Sequence, residues 1–314
     1  MDHSGGASYP DGMTAGIPDE SVALVALLQT RPDGISWSEI TAGVLEAGSA
    51  VRVWEGLHQP TLMDAPGETS PLVGAARDLA EWADQGNTIL TVLDPEYPER
   101  LKSIHQAPPI LFARGSLVEK DQGVSVVGSR NASPRGLEIA ANVAHELAMR
   151  KVTVIAGLAA GIDTAAHRAA LDAGGRTVAV IGTGINKVYP AANRALHEEI
   201  AAKGLLLSQF WPDAPPQKHT FLMRNATMSG YGIATFVVEA GEISGARAQA
   251  RMAVEHGRPV ILTDLVVERN QWAKLLIDRP GVHVAESTGD VMAVVDGLIK
   301  TQAFVGDALQ NLAS

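Results

Sequence analysis

The chain has 314 residues and 32.9 kDa, 46% of it hydrophobic, with no cysteine and a net charge of −10. That length corresponds to about two domains and that apolar content excludes wholesale disorder. The lack of cysteine excludes disulfides, thiolate zinc sites, iron–sulfur clusters and a thiol nucleophile, and suits a reducing cytoplasm. The first twenty residues show neither the basic nor the apolar region of an export signal, and no run of 18 apolar residues predicts a membrane span. An acidic chain argues against nucleic acid as a whole. Residues 123–263, however, hold 14 basic against 10 acidic residues, the only basic surplus in the chain.

In chain order, residues 1–18 are rich in Gly, Ser, Pro and Asp and predict a disordered start. Residues 19–86 read as a small helical domain. It has a helix over 21–28, a second opened by the capping-box spacing Ser36-x-x-Glu39, a segment with Pro60, Pro66 and Pro71, and an amphipathic helix through Ala75, Ala76, Leu79 and Trp82. Strands are predicted over 88–93 and 109–113, with a short helix from Pro98 through Leu101 and Ile104 between them. From residue 124 the texture is regular. Strands at 124–127, 152–156, 177–181, 205–207, 235–238 and 259–262 alternate with helices at 135–150, 162–173, 193–203, 222–228 and 246–256. The first of these helices places Leu137, Ala140, Val143, Ala144 and Leu147 on one face. A last strand at 282–284 and helix at 287–299 complete a domain over 87–300, followed by a tail at 301–314. Such alternation with uniformly apolar strands predicts an α/β fold, a Rossmann-like parallel sheet covered by helices on both faces.

Ligands of open α/β sheets bind at the carboxyl ends of the strands. Here those ends carry small residues: Gly128-Ser129-Arg130 after the first regular strand, Gly157 to Gly161 after the second, Gly182-x-Gly184 after the third, and Glu239 to Gly245 after the fifth. Glycine lets backbone approach a ligand, and amides opening a helix attract phosphate. Neither the dinucleotide fingerprint nor the P-loop spacing is present, which disfavours an NAD enzyme and a nucleoside triphosphatase. Basic, aromatic and amide groups concentrate nearby in Arg130, Lys187, Lys218, Phe221, Arg224 and Asn225. With Gly128, Ser129, Gly157, Gly161, Gly182, Gly184, Ser244 and Gly245 they form a candidate phosphate-binding rim, where Phe221 offers a face for a base. Glu239 is a candidate for a ligand hydroxyl or a loop amide. Arg176, in a helix-to-strand turn at the other sheet edge, reads as an ordinary surface charge. Asp163 and His167, four apart on one helix, read as a helix-start carboxylate and a partly buried histidine. No nucleophile–base pair, metal cluster or cofactor motif is legible.

The same turns resemble the DNA-processing protein A family (DprA, or Smf). The matching stretches are Val-Gly-Ser-Arg (127–130) with 133–136, Gly-Leu-Ala-Ala-Gly-Ile-Asp-Thr-Ala-Ala-His (157–167), Gly-Thr-Gly-Ile-Asn-Lys-Val-Tyr-Pro-Ala-Ala-Asn (182–193), Arg224-Asn225 with Ser229-Gly230, and 237–245. Leu93 to Pro98 and Pro109 to Gly115 resemble the family's lead-in. The resemblance implies an extended Rossmann-like fold behind an N-terminal helical domain. It also implies single-stranded DNA binding, dimerisation and loading of the RecA recombinase in natural transformation, without metabolic catalysis and with Arg130 and Arg224 in the DNA pocket. Departures fall on the binding side. Gln209 stands where the family has Glu, Leu222 replaces a proline, Ala226 an arginine, and Ala246-Arg247 follow Ser244-Gly245 in place of Ser-Leu. Two alternatives remain open: a sensor of a nucleotide-derived ligand on the same fold, with phage defence as its setting, and a nucleoside-monophosphate-cleaving enzyme of the lysine-decarboxylase-like group, whose glycine-rich turn has no match here.

Overall fold

A computed structural model describes residues 19–58 and 70–313. The expected disordered start, Pro60 and Pro66 lie outside the described residues. The chain opens with four helices, α1 (Asp19–Thr30), α2 (Trp37–Ala47), α3 (Ala50–Leu57) and α4 (Pro71–Asp84). Residues 22–28 of α1 are buried on every side, so it is a core helix and not an amphipathic one. Ser36 and Glu39 form the expected capping box: the Ser36 hydroxyl accepts from the Glu39 amide and the Glu39 carboxylate accepts from the Ser36 amide at 2.7 Å.

The rest of the chain runs β1 (Thr88–Thr91), α5 (Glu99–Lys102), β2 (Ile110–Gly115), β3 (Gly123–Gly128), α6 (Pro134–Met149), β4 (Thr153–Ala156), α7 (Ile162–Asp172), β5 (Thr177–Val180), α8 (Arg194–Lys203) and β6 (Leu205–Ser208). It continues with α9 (Lys218–Tyr231), β7 (Ala234–Glu239), α10 (Gly245–Glu255), β8 (Val260–Thr263), α11 (Asp264–Arg269), α12 (Gln271–Leu276), β9 (Val282–Ala285) and α13 (Thr288–Ala313). One nine-stranded sheet results, in the order β1-β2-β6-β5-β4-β3-β7-β8-β9. From β6 to β9 every pair is parallel, whereas β1 with β2 and β2 with β6 are antiparallel. The expectation of a parallel sheet therefore holds for seven strands and is corrected at one edge. Apolar strands report burial on both faces, which either direction satisfies.

Alternate residues of the strands face two cores. Val124, Val126, Val154, Phe236 and Val238 pack with α6, α7 and α13, while Val127, Ile155 and Val237 pack with α9 and α10. That second core is continuous with α1–α4, through Leu24, Val44 and Leu79. The Trp82 ring stacks on Trp211 at 5.2 Å, and Trp37 meets Trp211 edge-on at 5.1 Å. Three local expectations are corrected. Leu137 is 37% exposed, because the buried stripe of α6 runs through Gly136, Ala140, Val143, Ala144 and Leu147 and leaves it outside. The helix expected at 222–228 starts at Lys218, because the Thr220 hydroxyl donates to the Gly182 carbonyl and accepts from the Gln217 amide and so fixes the first turn. Finally, α13 carries helix through residues 301–313, read from sequence as a tail.

Candidate nucleic-acid interface

The sheet order reverses between β3 and β7, since β4, β5 and β6 follow on one side of β3 and β7, β8 and β9 on the other. Such a switch point opens a crevice at the carboxyl ends of the two strands. A groove of about 980 Å³ lies there, lined among others by Gly128, Ser129, Arg130, Asn131, Asp163, Tyr189, Lys218, Phe221, Leu222, Arg224, Asn225, Ile243, Ser244 and Gly245.

Its outward-facing side chains combine charge and aromatic surface. Arg130 is exposed and its guanidinium carbon lies 5.4 Å from the centre of the Phe221 ring, within cation–π range. The Tyr189 ring, 42% exposed, sits 5.5 Å from Phe221. Phe221 in turn rests on Gly182, where a Cβ would collide with its ring. Lys218, the first residue of α9, is exposed at the rim. Ser244 caps α10 by accepting from the Arg247 amide at 3.1 Å, and Asn225 donates to the Gly245 carbonyl at 3.2 Å, tying α9 to α10.

Arg224 differs from the exposed ligand its sequence position suggested. It is 5% exposed and its Nη1 donates to the Val180 carbonyl at 2.7 Å. Gly157 makes room for it, because a Cβ there would collide with the guanidinium. Beside it the buried Asp163 carboxylate accepts from the Gly157 and Ala159 amides at 2.9 and 3.3 Å, clamping the β4–α7 turn. Burial raises the Asp163 pKa, while Arg224, the two amides and Arg130 oppose the rise. Burial likewise lowers that of Arg224, opposed by Asp163.

Several candidates lie off the groove lining. Gly161, with φ of 78°, permits the close approach of the β3–α6 and β4–α7 loops, since a Cβ would strike the Ser129 and Arg130 carbonyls. Gly184 packs against the Trp211 and Pro212 carbonyls, and its amide donates to Ala214 at 2.9 Å. Lys187 is paired with Asp213 at 3.0 Å. Glu239 accepts at Oε2 from the amide and hydroxyl of Ser133, at 3.0 and 2.7 Å. That carboxylate oxygen thus latches the end of β7 to the start of α6. Arg176 is no ordinary surface charge: its Nε donates to the buried Asp121 at 2.9 Å, and Tyr231 donates to the same oxygen.

Among the described residues no histidine lines the groove. Ser229 Oγ lies 2.6 Å from His256 Nδ1, and His256 Nε2 lies 2.5 Å from Gln106 Oε1, which mimics a nucleophile–base–acceptor array. Ser229 is only 1% exposed, however, so a substrate has no access to it. Among the described residues no group of three or more His, Asp or Glu side chains could hold a metal, and no helix is long and apolar enough to cross a membrane.

His167 is fully buried rather than partly so. Because the Thr177 hydroxyl donates to the Val154 carbonyl, His167 Nδ1–H donates to Thr177 at 2.7 Å, and Nε2 is left without a protein partner. Burial, aided by Arg224, pushes its pKa down to about 3. The folded state therefore holds a neutral imidazole, and the unfolded chain takes up a proton below the ordinary histidine value near 6.5. Stability from this group is complete above pH 6.5 and is lost as pH falls toward 3, on the order of 1 kcal/mol per pH unit. Urea unfolding at pH 7, 6 and 5 should show a steeper loss for the wild type than for His167→Gln. Parallel slopes would refute the assignment.

The model of the DNA recombination-mediator protein A family matches residues 88–296. The DNA processing protein DprA of Bacillus subtilis is 37% identical over 186 residues, 59% of this chain and 63% of that protein. Its counterpart in Streptococcus pneumoniae is 42% identical over 171 residues, 54% of this chain and 60% of the relative. The chain thus aligns with less than two thirds of either relative. The X-ray structure of the Streptococcus pneumoniae protein superposes with a TM-score of 0.68 at 32% identity, covering 89% of this chain and 98% of the other. DNA processing protein A of Helicobacter pylori, whose structure describes its binding of single-stranded DNA, shares the fold with a TM-score of 0.59 at 23% identity, over 68% of this chain and 97% of the other. A family match across both walls of the groove, on a fold shared with these structures, establishes that the chain belongs to the DNA recombination-mediator protein A family.

Proposed function

We propose that this protein binds single-stranded DNA in the groove at the β3/β7 switch point and serves recombination by holding the strand, without chemistry of its own. The observation that carries this reading is the Arg130 guanidinium set over the Phe221 ring, with Lys218 exposed at the same rim. A cation beside an aromatic face suits a phosphate next to an unstacked base, the combination single strands offer and duplexes conceal. The single-stranded DNA binding described for the Helicobacter pylori protein supports the same ligand. A RecA-type recombinase as the protein partner and a homodimeric state follow from the family resemblance, a cytoplasmic setting from the cysteine-free composition, and all three belong to this proposal.

The salt dependence is calculable. If Arg130 and Lys218 each neutralise a phosphate, a slope of about −0.7 per phosphate gives log K against log salt a slope of roughly −1.4. Fluorescence anisotropy with a labelled oligonucleotide at several salt concentrations should return a slope between about −1 and −2, and weaker binding to the same sequence as duplex. Equal affinity for duplex, or no binding at low salt, would overturn the reading. Binding of a mononucleotide without any preference for longer strands would favour a small-ligand sensor.

A further inference from the structure

We infer that Ile243 is an apolar wedge that lies against a base of the bound strand and breaks its stacking with the next; this rests on the single-stranded DNA reading above. Ile243 lines the groove and is 97% exposed. A lone exposed aliphatic residue needs no explanation. Here three large apolar side chains line one groove, the other two being Leu222 at 48% and Tyr189 at 42% exposure.

The loop that presents Ile243 is anchored at both ends. Glu242 accepts at its carboxylate from the Gln271 amide and at its carbonyl from Arg247 Nη1 at 2.8 Å. On the other side Ser244 caps α10 and Asn225 holds the Gly245 carbonyl. Trp272 donates its indole N–H to the Gly241 carbonyl at 3.3 Å. The side chain is therefore held out into solvent by a braced loop and not left there by a slack one. Space beside it is open, for a Cβ on Gly241 or Gly245 would meet nothing within 4 Å.

The polar side chains next to Ile243 are mostly committed, although the buried Arg224 Nε is without a partner. Asn225 serves Gly245, Arg224 serves Val180, and the Ser244 hydroxyl serves the α10 amide. Around Ile243 the outward surface is aliphatic and aromatic, flanked by Arg130, Asn131 and Lys218. Such a surface matches the face of any base and reads no base edge. Aliphatic side chains that enter a base step separate its neighbours in other complexes.

The test uses an oligonucleotide carrying 2-aminopurine, whose emission rises when its neighbours unstack. Wild type should brighten the probe on binding. Ile243→Ser should bind about tenfold more weakly, with little brightening and with the salt slope unchanged, since no phosphate contact is lost. Ile243→Phe, which restores an apolar face, should recover both affinity and brightening. If Ile243→Ser binds and brightens the probe as wild type does while Arg130→Ala binds weakly, the wedge is refuted and the strand-binding reading stands. If wild type itself fails to bind at low salt, both fall together.

Discussion

Arg130→Ala should lower affinity for single-stranded DNA by roughly ten- to a hundredfold while leaving the fold intact. A hydrogen bond to a charged group contributes about 1.5–3 kcal/mol, and 1.4 kcal/mol is tenfold in a binding constant. The Arg130 side chain is exposed and makes no ion pair among the described residues, so its removal strands no buried partner. It also strips the cation from the Phe221 face. Arg77 is the better comparison charge: it lies on α4, is 73% exposed, and among the described residues pairs with its neighbour Asp78 alone. Arg176 would be a poor one, because its loss would leave the buried Asp121 without its cation. Anisotropy titrations of the two variants decide the matter. Equal affinity for Arg130→Ala and Arg77→Ala would place the strand elsewhere.

Arg224→Ala should instead damage stability first. Truncation leaves the Val180 carbonyl and the Asp163 carboxylate buried without the guanidinium, and it empties the space that Gly157 keeps open. Losing a hydrogen bond from a charged group costs about 1.5–3 kcal/mol, and the vacated space adds to that. Urea unfolding should show a midpoint well below that of wild type, and Arg224→Lys should rescue little, because one ammonium cannot reproduce the planar fork. A variant with the wild-type midpoint and no DNA binding would return Arg224 to the role of an exposed ligand.

The contrast between these arginines shows where the sequence was legible. The strand–helix alternation was readable because each buried strand is a short apolar run and each helix opens on a recognisable residue, such as Ser133 or Ser244. The carboxyl-end turns were readable because glycines and small residues mark close approaches, as Gly128, Gly161 and Gly182 turn out to do. The destination of each charge was not. Arg224 and Arg130 occupy similar polar surroundings along the chain, and only the hole left by Gly157, 67 residues before Arg224 in the numbering, decides that one is buried. Lys187 is taken up by Asp213 and Glu239 by Ser133, partners that no local spacing announces. The antiparallel edge escaped for a related reason, since hydrophobicity carries burial but no strand direction. Ile243 had one available sign, an aliphatic residue in an otherwise polar and glycine-containing turn.

The latch between Glu239 and Ser133 bears on the thermodynamics of association. It joins the ends of β7 and β3's following helix across the crevice, and the Asn225 bond to Gly245 joins the neighbouring pair of helices. Both walls are thus spaced by internal bonds before any strand arrives. If the proposed strand binding holds, ordering on binding falls on the nucleotide chain, whose torsions must be frozen, and hardly on the protein. On that proposal the ordering cost borne by the ligand grows with each nucleotide captured, and a second groove acting on the same strand would raise the holding strength without new contacts at the first.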